Sequence, residues 1–321
     1  MASFAAPMGI AHWDDVEAED VHNGPLGFTK FDLGTAAGTR NVGVTRARVK
    51  PGKQSSPVHV EFDEEELFYV LAGSGLSWQD GNTYEVAAGD CVVHRVAEET
   101  HTMVGGPDGL DLLIFGERAD PTLTYLPRAK VAWMGVTLDV SPGLDERDRE
   151  AEAGDLELPA PSPRRDNIST IGTPQHEAGG AWSELGASAG SVRSGLNWIQ
   201  LDPGRRGPPP HCHSAEEEIF VILEGEGMLE LWSTPGTTRL HPDFESQEHP
   251  IRPGHVISRP PGTRIAHSLK AGQAGLTYLV YGTRDTNDVC YYPRSNKIFW
   301  RGVGLIARVE PLEYDDGEPE D

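Results

Sequence analysis

Cysteine and positive charge are both scarce in this chain. Three cysteines (Cys91, Cys212, Cys290) in 321 residues cannot build a disulfide framework. Only 27 Lys and Arg stand against 50 Asp and Glu, a formal net charge of −23. Such a chain repels phosphate backbones and anionic lipid, so neither nucleic acid nor a membrane is an expected partner. Aromatics are few, at 7%. No apolar run approaches the roughly 18 residues of a membrane helix. Met1–Trp13 shows no basic, apolar leader, and the expected location is the cytoplasm. The sequence also lacks a convincing Ser/His/Asp or Cys/His nucleophile set, phosphate loop or dinucleotide fingerprint. What it has in quantity is turn formers. Its 37 Gly and 25 Pro punctuate short β-like runs along the whole length, which argues for strands and tight turns over helix bundles.

The chain is written twice. At an offset of 152, Leu33-Gly34 falls on Leu185-Gly186, Pro51-Gly52 on Pro203-Gly204, and His59 on His211. In the same register Glu64-Glu65-Glu66 falls on Glu216-Glu217-Glu218, and Phe68, Gly73 and Gly75 on Phe220, Gly225 and Gly227. Farther on the offset is 166, with His101 on His267, Gly116 on Gly282 and Pro127-Arg128 on Pro293-Arg294. The added residues are Ser233–His249, a Pro-, His- and acid-rich loop peculiar to the second copy. The organisation expected is an N-terminal domain at 1–140, a solvated acidic and Pro-rich linker at 141–165, a C-terminal domain at 166–312 and an acidic tail at 313–321. Continuous apolar runs such as Phe68–Leu71 and Phe220–Leu223 suit strands buried on both faces or packed in a sandwich. The fold class is all-β, two copies of an antiparallel barrel or jelly roll.

Histidines carry the chemistry. On a strand, His211 and His213 point to one face and Cys212 to the other. A reversal at Ser214–Glu216 returns Glu218 to the same pocket, and His267, after the turn Pro260-Pro261-Gly262, completes the set. Three imidazoles and a carboxylate suit a divalent transition metal, without choosing among Fe(II), Mn, Co, Ni, Cu and Zn. Glu217 should face the opposite way, as a solvated acid, and Cys212 should be a packed thiol.

These residues resemble the cupin superfamily, and the chain as a whole resembles a bicupin. The first cupin motif reads Gly204, His211-Cys212-His213, Glu218, Gly225. The second reads Gly254, Pro260-Pro261-Gly262, His267, with two more residues than usual before the histidine. The resemblance spans most of Leu33–Arg128 and Leu185–Arg294. It implies two tandem small barrels related by duplication, each with its metal site inside, and frequent homodimers. The tail Tyr291-Tyr292-Pro293-Arg294 to Gly304 resembles that of poorly characterised bacterial bicupins. The first copy departs from the motif: His59, Glu66 and His101 are kept, but Glu61 stands where the second histidine belongs. Two imidazoles and two carboxylates form a harder site, favouring Mn, Fe(II) or Mg, or else mark a barrel that lost its metal.

Lesser expectations complete the reading. His94 should face outward, Cys91 and Cys290 should be buried strand cysteines, and Glu64–Glu66 should be mainly a solvated face. His241, Asp243, Glu245 and His249 form a lid, a second metal patch or, more simply, a solvated loop. Arg259 and Arg264 flank the His267 turn as candidate clamps for a substrate carboxylate. Two functions follow. One is a metal-dependent enzyme, dioxygenase-like by family analogy or else an isomerase or decarboxylase, acting on a small molecule in the C-terminal barrel. The other is a non-catalytic module that binds a small ligand or metal for sensing or storage.

Overall fold

The computed structural model describes residues 9–319 except 120, 135, 139–144, 178 and 241. As the repeat predicts, the chain folds into two barrels of alike topology, almost entirely β. In the first, the long strands Glu66–Gln79 and His101–Glu117 pair centrally, followed outward by Val42–Val49, Leu26–Asp32 and Ala18–Asn23. The second repeats this order with Glu218–Trp232, Ala266–Thr283, Ser194–Leu201, Gly180–Glu184 and Gln175–Glu177. A small sheet closes each barrel: Val60–Glu61, Leu123–Leu126, Val131–Met134 and Val136–Leu138 in the first, and Cys212–His213, Val289–Tyr292, Lys297–Trp300 and Leu305–Arg308 in the second. No helix of the described residues is long and apolar enough to cross a membrane.

The motif glycines have a steric cause. Gly225 and its counterpart Gly73 adopt φ of +76° and +81°, where the long strands shift register. A Cβ on either would lie 2.2 Å from the carbonyl oxygen of Gly275 or Gly109, so only glycine lets the strands approach there.

Alternation along the central strands sorts side chains between two cores. Phe68 and Val70 enter the first barrel and Phe220 and Ile222 the second. The intervening Leu67, Tyr69, Ile219 and Val221 meet in one apolar cluster between the barrels. Phe115 and its repeat equivalent Tyr281 stack there, 5.2 Å apart. The runs that read as doubly buried strands are so because one face packs inside a barrel and the other against the sister barrel.

That packing corrects the expectation for two carboxylates. Glu217 is fully buried, not solvated, and accepts the backbone N–H groups of Arg40 and Asn41 at 2.9 and 2.5 Å. Its equivalent Glu65, 1% exposed, accepts the N–H groups of Val192 and Arg193 at 3.0 and 3.1 Å and the Ser191 hydroxyl at 2.7 Å. Each barrel thus inserts one acid into the same turn of the other. Glu217 does face away from Glu218, but that side holds a second barrel where water was expected.

Edge strands are exchanged as well. Ile10–His12 pairs with His255–Arg259, and Ile168–Thr170 pairs with Asp90–His94. The described part of the linker lies on the first barrel and is not a solvated spacer. Asp145 caps the helix Glu146–Glu152, whose Glu150 is fully buried against Gln54 and Arg128. Beyond it, Arg164 pairs with Asp90 at 2.7 Å, and Arg165 donates to Gln79 at 2.6 Å. Residues 141–144 of the linker and 320–321 of the tail lie outside the described residues.

Replacing Glu65 or Glu217 by alanine strands several buried N–H donors. Each change should lower unfolding stability in urea by about 2–3 kcal/mol, while a surface control such as Glu310→Ala shifts the midpoint negligibly.

Candidate metal centres

Three members of each set, His211, Glu218 and His267 in the second barrel and His59, Glu66 and His101 in the first, bring their ligand atoms within 4.8 Å of one another at equivalent places. In the second barrel Oε2 of Glu218 lies 2.9 Å from Nε2 of His267, 3.2 Å from Nε2 of His213 and 3.6 Å from Nε2 of His211. The other ring nitrogens are engaged. Nδ1 of His211 donates to the Pro209 carbonyl at 2.8 Å, and Nδ1 of His213 to Oδ2 of Asp288 at 2.8 Å. With Nδ1 so engaged, Nε2 of each ring faces the Glu218 carboxylate, the usual support of a ligating imidazole. Asp288 in turn accepts the N–H groups of Ser214, Ala215 and Glu216. Burial opposes its charge, yet the His213 bond and those amides hold it down at about 2. Burial likewise opposes ionisation of Glu218, but the surrounding imidazoles keep its carboxyl well below the usual range.

In the first barrel Oε2 of Glu66 lies 3.0 Å from Nε2 of His59 and 2.9 Å from Nε2 of His101. Nδ1 of His59 donates to the Pro57 carbonyl at 2.9 Å, repeating the His211 arrangement. Glu61 stands nearby, Oε1 at 3.8 Å from His59 Nε2, while Oε2 accepts the Thr124 hydroxyl at 2.6 Å. Burial, and Glu66 beside it, push the Glu61 carboxyl up to about 7. The supporting group follows the ligand type: hydroxyl Thr124 donates to the acid Glu61, whereas carboxylate Asp288 accepts from the imidazole His213. Imidazole nitrogens and a carboxylate oxygen facing one point form a donor set that fits a divalent cation in each barrel.

His94 is not outward. It is 2% exposed and stacks on His101, ring centroids 3.7 Å apart and planes within 3°. The register explains this: His94 lies directly opposite Glu66, and directly paired residues share a face. Nδ1 of His94 meets Oε1 of Glu99 at 2.9 Å; that acid also contacts Arg165 and Asn167 of the linker end. Arg259 occupies the same position opposite Glu218, 6% exposed. Its candidate companion Arg264 is exposed and packs over Gly236, away from the imidazoles. Cys212 is packed, and burial raises its thiol to about 11. Cys91 is also buried, as is Cys290, whose Sγ lies 3.3 Å from Nδ1 of His213. In the inserted loop Asp243 and Glu245 are exposed and His249 bonds to Gln247, none of them joining the cluster, and His241 lies outside the described residues.

The barrels differ most in empty space. Beside His59, Glu61 and Glu66 opens a cavity of about 390 Å³, walled by Phe28, Phe68, Ile114 and Trp133. Beside His211, Glu218 and His267 only about 40 Å³ remains. The repeat shows what fills it. Ala47 is replaced by Ile199 and Leu112 by Tyr278, both lining what remains, and Leu126 by Tyr292, whose ring stacks on His211 at 5.6 Å.

A double barrel with inward histidine and acid donors defines a class of metal-binding β proteins. Residues 45–104 match the cupin domain model, and the chain has the cupin fold. Solved structures of oxalate decarboxylase from Bacillus subtilis resemble it over most of its length. A deletion mutant of that enzyme gives a TM-score of 0.60 at 15% identity, covering 86% of this chain and 77% of that one. The enzyme at pH 4.6 gives 0.60 at 15%, covering 86% and 76%. A structure from work on its Mn(II) centres gives 0.59 at 14%, covering 87% and 78%. No curated protein matches the chain by sequence.

Asp288→Asn keeps the shape but weakens the acceptor for His213. Loss of such a support should weaken metal binding in the second barrel about 10- to 100-fold, read by competition with a chelator, with the first-barrel metal unchanged.

Proposed function

We propose that this chain is a metal-dependent bicupin enzyme with a divalent metal in each barrel and its chemistry in the first. The observation that carries this reading is the cavity of about 390 Å³ ending on His59, Glu61 and Glu66, against about 40 Å³ at the second set. Ligand sites need room for substrate beside the reactive groups, and among the described residues the first set has the larger cavity. The better motif match in the second barrel then marks a site that holds its fold together.

His59, Glu66 and His101 are the ligands of the first metal, with Glu61 beside them. Two carboxylates make a hard donor set that favours Mn(II), in keeping with the Mn(II) centres of the Bacillus enzyme. The bound ion would act as Lewis acid or electron acceptor toward a substrate oxygen. Glu61, held by the Thr124 hydroxyl, is placed to take or deliver a proton at the reacting atom. Phe28, Phe68 and Ile114 exclude water around it. A proton-transferring carboxyl in place of the second histidine favours decarboxylation or isomerisation of a small organic acid over oxygenation. The cavity is roomier and more apolar than oxalate requires, so the substrate carries an apolar body.

Metal analysis should find two ions per chain, one lost in Glu66→Gln and the other in Glu218→Gln. Ala47→Ile, which copies the filled barrel, should keep both ions and abolish turnover in a panel of organic acids followed by CO2 release and O2 uptake. Activity that survives Ala47→Ile, or depends on Glu218 alone, would refute the assignment to the first barrel; O2 uptake without CO2 would refute decarboxylation.

A further inference from the structure

Lys30 is an odd residue for a barrel wall. Along Leu26–Asp32 the side chains alternate: Phe28 and Lys30 line the cavity, while Thr29 bonds to Asp20 and Phe31 packs toward the inter-barrel cluster. A lysine facing a barrel interior gives up solvation, and the usual compensation is a nearby acid. Lys30 is half-buried, and its ammonium makes no hydrogen bond or ion pair among the described residues. The other ionic groups of the cavity are accounted for. Glu66 belongs to the imidazole cluster, Glu61 to Thr124 and His59, and Arg147 pairs with Glu19 at 3.1 Å. Glu146 lies on the linker helix without an ion pair to Lys30, at the first turn, where the helix dipole favours its charge.

Charge and spacing then describe the missing partner. A divalent ion among His59, Glu61, Glu66 and His101 would be balanced by Glu61 and Glu66, which leaves Lys30 and Glu146 as the remaining wall charges, with no ion pair between them among the described residues. The strand of Lys30 lies three strands along the wall from that of Glu66, with neighbours about 4.8 Å apart. On the strands between them the cavity is lined by Ala47, which pairs with Lys30, and by Ile114, with Thr45 opposite it. In the repeat Trp182 takes the place of Lys30, so the second barrel has no charge there.

We infer that Lys30 is the specificity-determining anion anchor of the first barrel, and that its ligand is a bifunctional small molecule: an oxygen-rich head at the imidazole end, an apolar or aromatic middle, and a carboxylate on Lys30. This rests on the reading of the first barrel as the substrate site.

The test uses two hydroxamates with the same metal-seeking head, 4-carboxybenzohydroxamate and 4-carbamoylbenzohydroxamate, titrated calorimetrically into the full chain loaded with Mn(II). The carboxylate compound should bind at least about tenfold more tightly, the scale of one charge-assisted hydrogen bond. Lys30→Met should erase that preference with the metal count unchanged, and Lys30→Arg should keep it. In metal-free protein both bind more weakly but the preference persists, because the ammonium acts without the ion. Equal binding of the two compounds, binding of neither, or a preference that survives Lys30→Met overturns the assignment of Lys30. A first barrel that takes up no metal while the preference remains overturns the proposed function and leaves the anchor standing.

Discussion

The structure depends on one constraint: the central strands of each barrel are buried on both faces. Leu67, Tyr69, Ile219 and Val221 meet between the barrels, and Phe68, Val70, Phe220 and Ile222 fill the interiors. A strand so placed cannot slip by one residue without sending every side chain to the wrong core. That fixed register carries Glu66 and Glu218 to the inner face at the strand starts, where the imidazoles of the neighbouring strands meet them. The same register gives Glu65 and Glu217 to the interface, where each closes a turn of the other barrel. Adjacent acids in one run therefore serve opposite purposes, one as a candidate ligand and one as a clamp.

The two copies of the repeat have diverged around their candidate sites. The second keeps three imidazoles and an acid but fills the space beside them with Ile199, Tyr278 and Tyr292. The first loses an imidazole to Glu61 and keeps its interior open. Outer contacts changed with the ligands, Asp288 serving His213 and Thr124 serving Glu61. Motif completeness and room for a substrate are separate properties, and here they have parted. The linker helix, laid beside the open cavity with Arg147 on its wall, ties the first site to the segment joining the barrels.

Much was legible in the linear chain. The two offsets implied a repeated barrel, and the spacing of His211, His213, Glu218 and His267, with His59, Glu66 and His101 in parallel, picked out residues that do converge. These signals survive because strand periodicity and turn glycines are local. His94, Glu65 and Glu217 were misread for a shared reason: alternation tells which residues share a face, but not what covers the opposite one. Asp288 escaped notice because its meeting with His213 joins segments 75 residues apart. The one linear trace of it was that positions 288 and 290 depart from their counterparts Thr122 and Thr124 just where His213 departs from Glu61.

Alone, the sequence determined the repeat, the β character and the donor types, since each follows from residue identity and short-range spacing. Tertiary structure decided the cavity beside His59, Glu61 and Glu66, which acids are buried clamps, and that Lys30 lines that cavity. Those depend on volumes and partners summed over strands distant in the chain, and a cavity belongs to no residue that borders it.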